Sequence, residues 1–195
     1  LLWYFQQLIG SYVADYLRDS VRARAWRTLS SKTIEHFEVQ FADSATKLLA
    51  DHLRPDGTKD MAVRPNALMS LDLLEGETMR FHVTGAAVKD LLRPYGVATF
   101  AGRRTKGMSV YDGPVWTWLA GPMAYALSRY DRQDLMYVVT KAMARVALTR
   151  DMAGTLPAML GPEPAGDRAS LNGMAEFLRV VYQDYLGLRI DLTVN

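Results

Sequence analysis

Apolar side chains recur three or four residues apart along almost the whole chain, which is the spacing of one face of an α-helix. Such stripes occupy residues 1–17, 26–41, 79–91, 115–130, 135–146 and 171–185. With a short helix after Pro65 they give about seven helices, and no two segments read convincingly as paired strands. The pattern predicts an all-α fold in which the stripes pack into a core.

The two ends of the chain carry the clearest stripes. The first consists of Leu1, Leu2, Phe5, Leu8, Ile9, Tyr12, Val13, Tyr16 and Leu17, and the last of Leu171, Met174, Ala175, Leu178, Val181, Tyr182 and Tyr185. Ser170 and Asp131 are the predicted N-caps of the last two helices, because their side-chain oxygens accept from first-turn amides. Since the chain begins at Leu1 within a stripe and without a cap, we expect it to belong to a longer protein.

Three stretches interrupt the helical pattern, at residues 42–65, 93–112 and 151–169. Each contains glycine, proline or both, and each is roughly 20 residues long, which is uncommon for a connection in a compact domain. Loops of this length are usually functional, so we look for the site there.

The overall composition excludes several classes of function. With 23 basic and 21 acidic residues, the net charge is only +2, so the basic surface of a nucleic-acid-binding protein is not expected. The absence of cysteine excludes disulfides and thiolate sites and suits a cytoplasmic location. The three histidines lack metal-ligand spacing, and no apolar run approaches the roughly 20 residues that cross a bilayer. We expect no metal, no cofactor and no membrane partner, while a neutral ligand such as a sugar is allowed.

The first candidate site segment runs from Asp60 to Asn66 and leads into an apolar helix. The guanidinium of Arg64 is a rigid fork of donors, and the amide of Asn66 both donates and accepts, as sugar hydroxyls require. Pro65 suits the first turn of a helix and would orient its neighbours. The alternative interpretation, which spacing alone favours, is a plain Arg64–Asp60 salt bridge beside a helix that proline starts.

The second segment, residues 111–118, places Tyr111, Asp112 and a Gly-Pro pair before two tryptophans. Tryptophan faces stack well on pyranose rings, but they also fill cores. Trp116 and Trp118 are two residues apart and cannot share one helix face, so we favour Trp116 as the ligand contact. The third segment, Gly154 to Pro164, reads from its residues alone only as a well-defined surface loop.

In this order the segments resemble the C-terminal glucosidase domain of glycogen debranching enzymes, the amylo-α-1,6-glucosidase type. The family's R-P-N-Q is similar to Arg64-Pro65-Asn66-Ala67, and its Y-H-N-G-x-V-W-P-W-L-x-G-P to residues 110–122. The family's L-L-T-P-Y-G-L-R-T-L motif resembles residues 91–100, and its G-x-x-P-E motif resembles residues 154–158. Its A-W-S-x-A-E-x-L-R helix resembles residues 171–179, and its A-L-W-Y helix resembles residues 1–4. The resemblance covers essentially the whole chain.

The resemblance implies an (α/α)6 barrel of twelve helices, of which residues 1–195 would be the C-terminal part of a single domain. It also implies inverting hydrolysis of α-1,6 glucosyl branches of α-glucans, which needs one carboxylic acid and one carboxylate base. The family's acid would lie before Leu1, and Ala158 stands at the position of the base. Asp112 and Glu163 are the candidate substitutes.

Three functions stay open at this point. In the first, the chain is a fragment of a debranching glucosidase. In the second, it is an inactive module that binds α-glucan or regulates a partner, and in the third it is a structural interaction domain. In the first two, the resemblance implies that the sugar is bound by Asp60, Arg64, Asn66, Tyr111, Asp112 and Trp116. An incomplete barrel would expose apolar helix faces, so we expect self-association or pairing with the missing N-terminal part.

Overall fold

The computed structural model describes residues 1–94, 96–101, 115–149, 153–160 and 169–188. The chain divides into two compact units, the first formed by Leu1–Met61 with Met69–His82 and the second by Ala62–Leu68 with Val83–Asn195. Seven α-helices lie within the described residues, which confirms the predicted all-α class. The prediction of one domain over residues 1–195 stays a prediction.

The first unit begins with a helical hairpin of α1 (Leu2–Tyr16) and α2 (Ser20–Phe41). Asp19 caps α2, because its carboxylate accepts from the backbone amide of Arg22 at 3.0 Å. Gly10 of α1 lies so close to the Trp26 ring of α2 that an added Cβ would be 3.0 Å from it. Small residues at this contact let the two helices approach closely.

The packing face of α1 is the opposite of the predicted one. Gln7, Ser11 and Ala14 are the buried residues of this helix, and the Gln7 side chain accepts from the Thr33 hydroxyl at 2.9 Å. The apolar stripe instead faces outward, with Leu2 83% and Tyr16 88% exposed. The prediction that this stripe is core is therefore wrong for α1, because α2 covers its small and polar face.

Two short hairpins follow α2 and occupy the first predicted loop. β1 (Ala42–Asp43) pairs with β2 (Leu48–Leu49), and β3 (His52–Leu53) pairs with β4 (Lys59–Asp60), both antiparallel. The prediction of no strand pairs is wrong in this respect, since two-residue strands are too short to give an alternating pattern. A single 3₁₀ turn, Leu71–Leu73, completes this part of the unit.

The second unit carries the remaining elements. These are α3 (Asn66–Met69), α4 (Glu77–Leu91), β5 (Leu92–Arg93), β6 (Gly96–Val97), β7 (Val115–Trp116), a 3₁₀ turn (Thr117–Leu119), α5 (Ala120–Arg129), α6 (Gln133–Thr149), β8 (Met159–Leu160), α7 (Leu171–Arg179) and a π-helical turn (Val180–Tyr185). Met69 at the end of α3 and Glu77–His82 at the start of α4 belong to the first unit, and the rest lies wholly within the second unit. The predicted short helix after Pro65 is confirmed as α3.

The core of the second unit is centred on α5, whose Met123, Ala124 and Leu127 are fully buried. Val139 and Met143 of α6 pack into the same interior. The stripe predicted for α4 is confirmed at its buried positions 83, 87 and 91. In α7, by contrast, the predicted stripe is largely outward, because Gly173 is the buried residue of that helix.

The predicted helix boundaries are partly confirmed. Ser170 caps α7 as predicted, accepting from the amide of Gly173 at 3.0 Å. Asp131 is not a cap: it has a positive φ of 54°, and α6 begins only at Gln133. Among the described residues, no helix combines the length and the apolar character needed to cross a lipid bilayer.

Candidate functional site

A cavity of about 220 Å³ in the second unit gathers residues from three separate parts of the sequence. It is lined by Arg64, Pro65, Asn66, Thr99, Trp116, Trp118 and Leu119. The volume is below the roughly 300–1,000 Å³ of sites for drug-sized ligands, so it suits a single small ring.

The Arg-Pro-Asn segment forms one side of this cavity. Pro65 is buried, and its carbonyl accepts from the amide of Leu68 at 3.0 Å, which starts α3. The guanidinium carbon of Arg64 lies 5.2 Å from the centre of the Phe100 ring, a cation–π distance. Because Asn66 is exposed at the first position of α3, its amide is accessible to a ligand.

Trp116 and Trp118, here called the tryptophan wall, form another side. β7 pairs with β8 through Val115–Leu160 and Trp116–Met159, and Val115 also bridges to Ala98. A Cβ on Gly96 would overlap the Val115 side chain, so glycine is required for β6 to pass this closely. The neighbouring Thr99 reaches the cavity through the same strand contacts.

The two tryptophans both line the cavity because their segment is not a helix. Trp116 ends a strand and Trp118 lies in the 3₁₀ turn that follows, so the helix-face argument against Trp118 does not apply. Sequence reasoning missed Trp118, Thr99 and Leu119. The signal that could have found Trp118 is the Gly-Pro pair at residues 121–122. Proline fits the first turn of a helix, so this pair indicates a helix that begins at Ala120 and not at Val115.

Position 158, where the resemblance predicts the catalytic base, lies directly beside the tryptophan wall in the backbone pairing. The amide of Thr117 donates to the Ala158 carbonyl at 3.2 Å, and the next residue, Met159, pairs with Trp116. The alanine methyl cannot exchange a proton. This position therefore carries no acid–base group, and its role as the place of the catalytic base stays a prediction.

The other predicted residues are not part of the described lining. Tyr111, Asp112 and Glu163 lie outside the described residues. Asp60 lies in the first unit, where its carboxylate accepts from Arg54 at 3.2 Å, and its role at a sugar site stays a prediction.

The lining combines apolar aromatic surface with polar hydrogen-bonding groups. It offers aromatic faces, the donors of Arg64 and the amide of Asn66, and the lining as described includes no carboxylate. Within the part of the chain that the structure describes, no three histidine or acidic side chains are grouped so that they could hold a metal ion.

Comparison with known proteins gives one family match and similar solved structures. The family model described as amylo-alpha-1,6-glucosidase matches residues 2–163. A glycosidase variant in complex with glucose has a similar fold, with a TM-score of 0.55 and 17% identity over 88% of this chain and 42% of that chain. A possible member of the GH105 family from Klebsiella pneumoniae subsp. pneumoniae MGH 78578 gives a TM-score of 0.50 and 14% identity over 93% of this chain and 54% of that chain. No curated protein sequence matches significantly.

The chain thus spans about half the length of the solved structures that it resembles. Their likeness confirms the predicted fold class, an all-α barrel type of which this chain holds a part. The family match extends over most of the sequence and includes the Arg-Pro-Asn segment, the tryptophan wall and position 158. On this evidence the chain belongs to the amylo-alpha-1,6-glucosidase family.

Proposed function

We propose that the cavity binds a terminal glucosyl unit of an α-glucan, as part of a debranching glucosidase that hydrolyses α-1,6 branches with inversion. The observation that carries the proposal is that Arg64, Asn66 and Trp116, three predicted sugar contacts, line one cavity of ring size. The similar glycosidase structure in complex with glucose makes glucose the first ligand to test.

The lining supports a sugar more than another small ring because its groups are complementary to a pyranose. Tryptophan rings cover the C–H faces of the sugar, while Arg64 and Asn66 hydrogen-bond its hydroxyls. The stacking of Arg64 on Phe100 restricts the guanidinium before any ligand arrives, which lowers the entropy lost on binding.

Hydrolysis also needs carboxyl groups, and the described lining of the cavity contains none. An inverting glycosidase needs a base that activates water, about 6.5–9.5 Å from the acid that protonates the leaving oxygen. Ala158 occupies the predicted position of the base. This alanine favours a second candidate function, an α-glucan-binding or regulatory module that holds the sugar without cleaving it.

One experiment separates these functions. The protein is mixed with isomaltose, maltooligosaccharides and limit dextrin, and both glucose release and tryptophan fluorescence are recorded. Release of glucose supports the hydrolase, and fluorescence quenching without release supports the binding module. The absence of both would contradict the proposal and leave the structural interaction domain.

Two variants show whether a fluorescence signal comes from the cavity. Trp116→Phe removes a lining indole and should remove most of the quenching. Trp26→Phe, in the first unit and against Gly10, removes a half-buried indole outside the lining and should leave the affinity unchanged. If Trp116→Phe and Trp26→Phe reduce the sugar-induced quenching by the same amount, the quenching does not report on this cavity.

The proposal also covers the ligand and the cellular location of the protein. An α-glucan or oligosaccharide is the proposed ligand, and a cytoplasmic location, expected from the absence of cysteine, stays a prediction.

A further inference from the structure

Thr117 lies between the two residues of the tryptophan wall and is itself 4% exposed. Its hydroxyl donates to the Pro157 carbonyl at 2.6 Å, and its amide donates to the Ala158 carbonyl at 3.2 Å. One residue therefore engages two consecutive carbonyls of the segment 155–160, which carries position 158. Burial makes these contacts costly to lose, since an unpaired carbonyl there would not reach water.

Gly173 of α7 provides the space that the Thr117 hydroxyl occupies. A Cβ at position 173 would overlap Thr117 Oγ1 and lie 3.3 Å from Thr117 Cβ. Glycine weakens a helix relative to alanine, so its presence inside α7 calls for a packing reason. The close approach of Thr117 supplies that reason.

The segment 155–160 is also held on its other side, by the start of α7. The Ser170 amide donates to the Leu156 carbonyl at 2.7 Å, and Pro157 bridges to Ala169. These are backbone contacts that any residue type could make. The Thr117 hydroxyl is different, because it is a side-chain contact that depends on the residue at that position.

We infer that Thr117 is a positioning residue, which holds the segment carrying position 158 against the tryptophan wall and thereby shapes the sugar cavity, with Gly173 leaving room for its hydroxyl. The functional part of this inference rests on the proposed function. Because Trp116 and Trp118 flank Thr117 directly, a shift of this residue moves both lining rings.

The test compares Thr117→Val with Thr117→Ser, which keeps the hydroxyl, and with Thr84→Val as a matched control. Thr84 is a 5% exposed threonine of α4 whose hydroxyl has no hydrogen-bond partner among the described residues. Two quantities are measured, the amide hydrogen exchange of peptides covering residues 155–160 and the dissociation constant for maltooligosaccharides from tryptophan fluorescence.

In Thr117→Val we expect exchange in residues 155–160 to accelerate by about fivefold or more, the usual effect of one buried hydrogen bond. The dissociation constant should rise by a similar factor. Thr117→Ser and Thr84→Val should match the wild type in both measurements, because neither loses a hydrogen bond.

A second pair of variants keeps the inference testable if Thr117→Val does not fold. Gly173→Ala should accelerate the same exchange when Thr117 is present, yet add little in a Thr117→Ala background, because the overlapping atom is gone. Equal effects of Gly173→Ala in both backgrounds would overturn the proposed pairing.

Other results would also overturn the inference. Unchanged exchange in Thr117→Val would show that the hydroxyl does not hold the segment, and faster exchange with unchanged affinity would show that it does not shape the site. If the wild type binds none of the sugars, the proposed function fails, while the exchange rates still decide whether Thr117 holds residues 155–160.

Discussion

Arg64 brings a planar cation to the cavity, with its guanidinium carbon 5.2 Å from the Phe100 ring centre. Arg64→Lys keeps the charge but loses both the donor fork and the stacking surface, so the two residues are not equivalent here. We expect the dissociation constant for glucose or maltose to rise about tenfold, the range of one strong polar contact. Titration followed by tryptophan fluorescence measures it.

The control for that change is Arg129→Lys, at the exposed C-terminal end of α5 in the same unit. It should leave the affinity unchanged. A similar loss in both variants would mean that the weaker binding does not come from losing the Arg64 contact in the cavity.

Ala158 offers a direct test of the missing base. Ala158→Glu places a carboxylate beside the tryptophan wall, while Ala158→Gln adds nearly the same shape without the acid–base group. We expect Ala158→Glu to hydrolyse α-glucosyl fluoride about 10²-fold or more faster than Ala158→Gln, the usual contribution of a positioned base. Fluoride leaves without a proton from an acid, so fluoride release reports on the base alone. Equal rates in the two variants would remove position 158 as the site of the base.

The residue-level site could be predicted only where local sequence determines it. Arg64, Asn66 and Trp116 were predicted, because a helix-starting proline and a Gly-Pro pair mark their segments. Thr99 was missed, since it reaches the cavity through the bridge between Ala98 and Val115, a non-local contact that spacing does not encode.

At the scale of elements, the start of α5 meets α7 at Gly121. The Arg179 side chain donates to the Gly121 carbonyl at 3.0 Å and to Glu176 at 2.8 Å, and it pairs with the buried Asp184 at 3.1 Å. A Cβ on Gly121 would overlap the Glu176 carboxylate. Gly121→Ala should therefore lower the free energy of unfolding by about 1–3 kcal/mol, as overpacking does.

Chemical denaturation measures that loss, with Gly85→Ala as the control. Gly85 lies in α4 with open space around its Cα, so alanine should raise the free energy of unfolding by about 0.5–1 kcal/mol. If both substitutions stabilise the protein, the close approach of Glu176 to α5 does not restrict position 121.

The first turn of α6 contributes a stability that depends on pH. Hydrogen bonds from the Arg132 guanidinium lower the pKa of Asp134 from 3.8 to about 2. Because the folded pKa lies below the unfolded one, the contribution is present above about pH 4 and is lost as the pH falls towards 2. The difference in unfolding midpoint between the wild type and Asp134→Asn should shrink over that window.

Thermal unfolding at a series of pH values measures this difference. Arg132→Gln removes the same contact from the other side and should give the same pH dependence as Asp134→Asn. A difference that stays constant from pH 5 to pH 2 would show that the pair does not contribute through ionisation.

A helix boundary could be predicted where a single capping side chain marks it. It could not be predicted where the backbone conformation of the preceding turn determines the first helical residue. Ser170 caps α7 as predicted through a local side-chain contact. Asp131 was wrong because a left-handed residue continues the turn after α5, and the helix starts two residues later. Residues 115–119 read as helix from their apolar content, yet strand pairing with β8 draws Val115 and Trp116 into an extended conformation.

At the scale of the whole molecule, periodicity identified the helices and the buried face of α4, but not the faces that α1 and α7 bury. A stripe shows which side of a helix is apolar, but which side is buried depends on the element that packs against the helix, and the sequence of the helix does not show this. In α1 the described neighbour α2 covers the polar side through Gln7 and Ser11. In α7 the outward side includes Leu171 at 76% exposed. Each unit, taken by itself, thus exposes an apolar helix face.

Exposed faces of this kind promote association, because water is released when they are covered. We expect the isolated chain to self-associate through α1, whose exposed positions Leu2, Phe5, Ile9, Tyr12 and Tyr16 follow the alternating three- and four-residue spacing of a helix-pairing seam. The weight-average mass from sedimentation or light scattering should rise with protein concentration.

Ile9→Lys places a charge at the centre of that seam and should keep the chain monomeric up to about tenfold higher concentration, while leaving the helical content unchanged. Val39→Lys is the matched control, because Val39 is a similarly exposed apolar residue of α2 outside the seam. If the wild type stays monomeric at every concentration, or if the two lysine variants dissociate the assembly equally, the α1 face is not an association surface.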